Sequence, residues 1–430
     1  MRRFLSLVIV AGLAFSAGCG GGGGTPAGVP TGGGGGGTPT GSGNTLPIAV
    51  DGGPVSGIIY PDGAFTSVTL CNPGTATCQT IDGILVDTGS FGLRILSSAI
   101  TLTGLQAVTS GSSTLYNCIN FVDGSFLWGT AAVADVEMAG ERATSETIQV
   151  IADPPQGQSA IPTECQNNGT DEDFLTGPNG TGLGAQGILG IGPEPVDCGE
   201  ACDPSFNGNV PPVPSPYYLC TSSFACSATS VSISQQVQNP VALFPVDNNG
   251  TIVELPTLSG AAASQTGSLI FGIGTETNNQ VPATASIFAL DSEDTFSVTY
   301  KGVTYNSTFS TPSFIDLGSN GLFFPDATIT VCTDVTDFYC PASLLSLSAV
   351  NSETVAVTGD TSSVDFSIDN ADNLFAEGNG ADAAFSTLGG PNTGGGFDYG
   401  LPFFYGRNVF TSIDGGVVPS GTPPAPWWAY

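Results

Sequence analysis

Histidine is missing from all 430 residues. Serine and cysteine nucleophiles therefore lack an imidazole base, and histidine-ligated zinc cannot form. Any chemistry must run on carboxylates, hydroxyls or backbone groups. Cations are nearly as scarce: six Lys and Arg stand against 37 Asp and Glu, for a net charge of −31. Beyond Arg2 and Arg3 at the amino end, only Arg94, Arg142, Lys301 and Arg407 remain. Such a surface repels phosphate backbones, which excludes nucleic acid as a partner. It keeps itself soluble by self-repulsion, which eases in acid as carboxylates protonate. Long runs of helical period are also lacking, and one short helix is expected at 343–350.

What is present begins with a targeting segment. Arg2 and Arg3 precede an apolar stretch at 4–15 that is too short to span a bilayer as a stable helix. Ser16-Ala17-Gly18-Cys19 is similar to a bacterial lipobox, in which the cysteine is cleaved and acylated, although leucine is usual where Ser16 stands. Residues 1–19 thus read as a lipoprotein signal peptide, with Cys19 as the lipidation site. An ordinary secretory signal would give Cys19 no such role. However, the Gly/Thr/Pro sequence at 20–45 suits a flexible tether between a lipid and a domain. Gly20 replaces the aspartate associated with inner-membrane retention, which points to the outer membrane. The membrane is then touched through the lipid alone.

About 385 residues follow the tether, enough for two packed lobes. Alternating runs such as Phe65-Thr66-Ser67-Val68-Thr69-Leu70 and Phe296-Ser297-Val298-Thr299-Tyr300 read as strands. The class is all-β. Cys19 apart, the eleven cysteines leave an even number in an exported chain, so disulfides are expected throughout. Cys71 with Cys78 and Cys332 with Cys340 read as local clips. Cys118 with Cys165 joins a strand to an insertion at 153–180. Cys198, Cys202, Cys220 and Cys226 permit three pairings. A four-cysteine metal site is the less favoured alternative for that group, because export oxidises thiols and the spacing is not that of paired knuckles. No metal and no cofactor are expected.

One pattern occurs twice. Ile84-Leu85-Val86-Asp87-Thr88-Gly89-Ser90-Phe91-Gly92-Leu93 is echoed far downstream by Ser313-Phe314-Ile315-Asp316-Leu317-Gly318-Ser319-Asn320-Gly321-Leu322. An aspartate closing an apolar strand is costly unless it is hydrogen-bonded or shares its charge with a partner. Two such loops suggest two related lobes whose carboxylates face each other and share one proton.

These residues carry a resemblance. Asp87-Thr88-Gly89-Ser90 resembles the first active-site loop of pepsin-like aspartic peptidases, and Asp316-Leu317-Gly318-Ser319 resembles the second. Gly187-Ile188-Leu189-Gly190-Ile191-Gly192 resembles the strand threading behind the first loop, and Phe404-Tyr405-Gly406-Arg407-Asn408-Val409-Phe410 resembles its C-terminal counterpart. Phe121-Val122-Asp123-Gly124-Ser125 sits where that family has its flap. The resemblance implies a bilobal pepsin-like β-barrel architecture with a cleft between the lobes, the N-terminal lobe at 46–240 and the C-terminal lobe at 241–430. It implies Asp87 and Asp316 as the catalytic pair, with Thr88, Gly89, Ser90, Leu317, Gly318 and Ser319 as loop support and Phe121, Gly124 and Ser125 in the flap. The chain is also similar to uncharacterised bacterial lipoproteins of unknown function that share the Asp-Thr-Gly-Ser stretch.

Two departures from the family pattern matter. Leu317 replaces a hydroxyl residue and cannot make its half of the cross-loop hydrogen bond, a loss of roughly 0.5–1.5 kcal/mol. Phe121 stands where a tyrosine is usual, with Trp128 nearby as a donor or as packing. Arg94 is expected to pair with an acidic neighbour and has no catalytic role. Asp171-Glu172-Asp173 and Asp247-Asn248-Asn249-Gly250 offer calcium ligands, but turns use the same residues more often. The proline-rich run at 210–217 reads as a surface loop, and Trp427-Trp428-Ala429-Tyr430 is undecided between a buried last strand and an exposed end. The reading is a lipid-anchored, monomeric aspartic endopeptidase that takes a peptide or protein in the interlobe cleft. A pepsin-fold binding module with weak or absent catalysis is the alternative, and a purely structural lipoprotein is a third.

Overall fold

Strands dominate because the sequence alternates apolar with Ser and Thr, and because turn glycines interrupt it every few residues. A computed structural model describes residues 43–430, apart from 153–160, 177–181, 224, 293, 307–311, 355–356, 377–379 and 393. The signal segment, Cys19 and most of the tether lie outside the described residues, as does part of the 153–180 insertion. The chain is all-β. Among the described residues, the helices are single short turns such as Thr163–Gln166 and Ala371–Ala376. None is long and apolar enough to cross a membrane.

A continuous antiparallel sheet joins the two halves of the chain. Thr45–Val50 pairs with Gln265–Phe271, which pairs with Gly250–Leu255, which pairs with Arg407–Ser412. Trp427–Ala429 then lies between Arg407–Ser412 and Ile287–Ala289. The terminal aromatics are therefore a strand in the core, with Trp427 and Trp428 essentially unexposed.

In the N-terminal half, Phe65–Cys71, Cys78–Asp87, Ser125–Met138 and Glu141–Ile151 form twisted hairpins around an aliphatic core. The C-terminal half stacks a sheet of Ser297–Tyr300, Val303–Tyr305, Leu345–Ser352 and Thr361–Ile368 on an aromatic core. There Phe324 and Phe397 stack at 5.5 Å and Phe296 and Tyr399 at 6.0 Å. Such ring pairs add about 0.5–1.5 kcal/mol each beyond their buried area.

Two expectations need correction. The stretch at 343–350 contains no helix; Leu345–Ser352 is a strand paired on both sides. Its Leu-Ser-Leu-Ser-Ala-Val run alternates with period two, which suits a half-buried strand. The second concerns the chain behind the C-terminal loop. Phe404–Phe410 does not thread there. Asp398–Tyr399 does, parallel to Phe314–Ile315 and antiparallel to Leu322–Phe324. The following Gly400 permits the crossing, since a Cβ there would lie 2.1 Å from the Gly321 carbonyl oxygen. In the N-terminal half, Gly187–Ile191 takes this position, with Gly190 opposite Asp87.

All ten described cysteines are paired. Cys71–Cys78, Cys118–Cys165 and Cys332–Cys340 form as expected, and the four open cysteines resolve as Cys198–Cys202 and Cys220–Cys226. This pairing takes those thiols out of any metal site. The candidate groupings of Cys71, Cys78 and Glu137, and of Cys332, Cys340 and Asp372, lose their thiols in the same way.

The Cys118–Cys165 bridge closes a sequence separation of 47, against 7 for Cys71–Cys78. Loop-closure entropy assigns about 4 kcal/mol to the first and about 2.5 kcal/mol to the second. Replacing each pair by serines should lower the unfolding free energy in that order in guanidinium titrations. The reverse order would show that the longer loop is already restrained when unfolded.

Candidate active site

Strand Cys78–Asp87 delivers Asp87 to the seam between the halves, and strand Phe314–Ile315 delivers Asp316. Each loop then treats its carboxylate in the same way. Asp87 Oδ1 accepts the Gly89 N–H at 2.8 Å, and Asp87 Oδ2 accepts the Ser90 hydroxyl. Asp316 Oδ1 accepts the Gly318 N–H at 2.8 Å, and Asp316 Oδ2 accepts the Ser319 hydroxyl at 2.8 Å. The two side chains come together beside Gly318, and both are fully buried. Gly318 is needed at the junction: a Cβ there would lie 2.6 Å from Asp87 Oδ1 and 3.1 Å from Asp316 Oδ1.

The loops are locked from one side. Thr88 Oγ1 accepts the Leu317 N–H at 2.9 Å, across 229 residues of sequence, and its hydroxyl points at the Ile315 carbonyl at 3.5 Å. The Leu317 side chain has no polar atom to return the bond; it is fully buried in the main core instead. Burial first, then the Asp87 charge, then Asp398 push the Asp316 carboxyl well above the usual range. Asp316 therefore keeps its proton to a higher pH than a free aspartate does.

Sequence reading missed three nearby groups. Asp398, on the strand behind Asp316, is buried, and among the described residues neither of its oxygens makes a standard hydrogen bond. Desolvation raises its pKa, the Ser319 hydroxyl lowers it and the Asp87 charge raises it. It escaped notice because the strand behind the second loop was expected at Phe404–Phe410. Tyr60 packs with Phe65, Leu85 and Phe121, and its buried hydroxyl has no hydrogen-bond partner among the described residues. Its pKa is raised by burial and then by the charges of Glu172, Asp87, Asp123 and Asp316. Asp62 ties the same loop to the far half: its N–H donates to the Ala383 carbonyl at 2.7 Å. Its Oδ1 accepts the Phe385 N–H at 2.7 Å and the Tyr405 hydroxyl at 2.9 Å. Loop 51–64 has no local signal that could have announced these contacts.

The flap residues turn as a hairpin between Ser113–Asn120 and Ser125–Met138. Gly124 is in a left-handed conformation, and Asp123 Oδ1 accepts both the N–H and the hydroxyl of Ser125. Phe121 lies in the cluster with Tyr60, whereas Trp128 packs between Tyr116 and Tyr218 beside the Cys118–Cys165 bridge. Trp128 is packing. Arg94 is entirely buried behind the first loop. It donates to Asn117 and Gln149 at 2.6 and 2.8 Å, to the Phe91 carbonyl at 3.2 Å and to Asp197 at 3.1 Å. Of the calcium candidates, Asp171 Oδ1 accepts the Asp173 N–H within its own turn, and Asp247 accepts the hydroxyl of the distant Thr275.

Two consequences can be measured. Thr88→Val strands the buried Leu317 N–H and should cost about 1–3 kcal/mol in urea unfolding; no loss would mean that the bond is not formed. The second concerns pH. Asp62, Glu146, Glu172, Asp316 and Asp398 are all raised, chiefly by desolvation, and Glu194 is raised to about 7 by desolvation and then by Asp414. A raised carboxyl stabilises the fold below its unfolded value and stops doing so as pH climbs through its folded value. For Glu194 that window ends near 7. Asp326, held by the Lys301 ammonium against its own desolvation, is lowered to about 2, so its contribution fades only as pH falls towards 2. The melting temperature should therefore peak at roughly pH 4–5 and fall towards neutrality. A maximum above pH 7 in calorimetry would contradict this.

Among solved structures, the chain is similar to the crystal structure of aspartic proteinase from Irpex lacteus, at 15% identity over 90% of this chain and 96% of that one, with a TM-score of 0.49. No curated protein matches. A model of the family described as "Protein of unknown function (DUF3443)" matches residues 40–430, and the chain belongs to that family.

Proposed function

We propose that this protein is an aspartic endopeptidase that hydrolyses peptide bonds with a water activated between Asp87 and Asp316. One observation carries the reading: two carboxyls from distant copies of one loop meet at the seam, each with its outer oxygen held by its own serine. A protonated and an ionised carboxyl side by side can polarise a carbonyl and take a proton from water. Asp316, with its raised pKa, is the natural carrier of the shared proton. The site works in acid, because loss of that proton removes the general acid. The 1–19 signal would direct the chain to the cell envelope and the lipid on Cys19 would hold it there, at the outer membrane, with the 20–45 segment as its leash. It acts as a monomer on peptide or protein.

A second reading has its own support. Asp87 and Asp316 are both 0% exposed, Tyr60 packs against the flap, and Leu317 and Phe121 lack the usual hydroxyls. Those features suit a binding module that keeps the fold without turnover. Catalysis requires the 51–64 loop and the flap to part before substrate reaches the pair.

Incubating the protein with denatured casein across pH 3–7 separates the two. The peptidase reading expects acid-limited cleavage that disappears in Asp87→Ala and in Asp316→Ala, at least a hundredfold below the native rate. Cleavage that survives either substitution, or appears at no pH, removes it in favour of the binding module.

A further inference from the structure

The four described cations are not alike. Arg94 pairs with Asp197 at 3.1 Å, Arg142 with Asp135 at 2.8 Å and Glu137 at 2.5 Å, and Lys301 with Asp326 at 2.8 Å. Arg407 has no carboxylate in ion-pair contact among the described residues, in a chain carrying 37 acidic side chains. It is also far from freely solvated. Its guanidinium lies over the Phe403 ring at 4.5 Å, and Nη1 donates to the Phe403 carbonyl at 2.5 Å. Burial lowers its pKa, with the Tyr430, Tyr399 and Asp365 charges acting against that change. A partly buried guanidinium without an anion is an unmet electrostatic demand.

Arg407 lines a cavity of about 410 Å³ between the Thr361–Ile368 strand and the Arg407–Ser412 strand. The cavity falls in the size range of small-molecule sites. Leu322, Phe366 and Phe403 give it apolar walls, and Ser367 and Thr387 give it hydroxyls. Thr387 Oγ1 is buried and has no hydrogen-bond partner among the described residues. A cation without an ion-pair contact and a hydroxyl without a hydrogen bond, among the described residues, therefore line one space.

We propose that this cavity binds a small organic carboxylate borne on an apolar body, with the carboxylate on Arg407 and Thr387 and the body against Phe366 and Leu322. The planar guanidinium fork matches a carboxylate, and one edge of it remains uncommitted. A doubly charged phosphate fits less well, because Asp365 also lines the cavity and the whole chain is strongly negative. The site is separate from the Asp87–Asp316 pair and stands whether or not that pair is catalytic. A free acid and the C-terminal residue of a peptide present the same chemistry.

Calorimetric titration of the full chain at low ionic strength tests this, with N-acetyl-L-phenylalanine and its amide as probes. The acid should bind at least tenfold more tightly than the amide. Arg407→Met should remove that preference, Arg407→Lys should keep part of it, and Thr387→Val should weaken the acid several-fold with an unchanged melting temperature. Asp87→Asn should leave all of this intact. A peptide ending in a free phenylalanine, compared with the free acid, shows which source the cavity accepts; binding of either supports the site. The proposal is overturned if acid, amide and peptide all fail to bind, or if acid and amide bind alike. It is equally overturned if a folded Arg407→Met chain keeps the preference. Should Arg407→Met unfold, an unchanged acid affinity in Thr387→Val overturns it.

Discussion

Two acidic side chains that must be close cannot both be charged, and this molecule is built around that conflict. Asp87 and Asp316 meet out of solvent, so their repulsion is not screened by water. The fold answers it by raising the Asp316 carboxyl well above its usual range and with donors of the loops' own making: an N–H and a hydroxyl from each side. Gly318 must be bare for the carboxyls to meet, and Thr88 must bridge to Leu317 for the loops to stay in register. The surroundings are acidic too: Asp398 stands behind one loop, and Asp123 and Glu172 lie near Tyr60. Burial raises the carboxyls of Asp316, Asp398, Asp123 and Glu172 alike.

The rest of the chain supplies the rigidity that such a site needs. Arg94 braces the first loop from behind through four acceptors, one of them the loop's own Phe91 carbonyl. Ile315 and Leu317 anchor the second loop in the main core, with Tyr399 packed alongside. The sheet that includes Thr45–Val50, Gln265–Phe271 and Arg407–Ser412 holds the halves to one another, so the seam is not a free hinge. Asp62 adds a polar tie across the same boundary.

Much of this could be read from residue order alone. The duplicated Asp-x-Gly-Ser pattern is local, and each copy makes its own carboxylate hydrogen bonds within three residues. The β class followed from period-two alternation, and three disulfides followed from short or plausible spacings. What escaped detection depends on register and on long-range contact. Asp398 is assigned by its pairing opposite Phe314, which no local pattern encodes, and the apolar-apolar-Gly template pointed instead to Phe404–Phe410. Tyr60 and Asp62 come from a glycine-rich loop whose role is set by partners hundreds of residues away. Leu345–Ser352 has the leucines and alanine of a short helix, and its pairing with strands on both sides decides for the period-two order instead.

The disulfides have a consequence for how the molecule is made. Four of the five join cysteines eight or fewer positions apart, and the fifth spans 47. Oxidation can thus staple hairpins early, while the contacts that create the carboxyl pair and the joining sheet have large sequence separations and close slowly. A chain caught midway would carry correct covalent bonds and no site. Complete oxidation is therefore no proof of maturation, and assays of the purified protein need a probe of the seam itself.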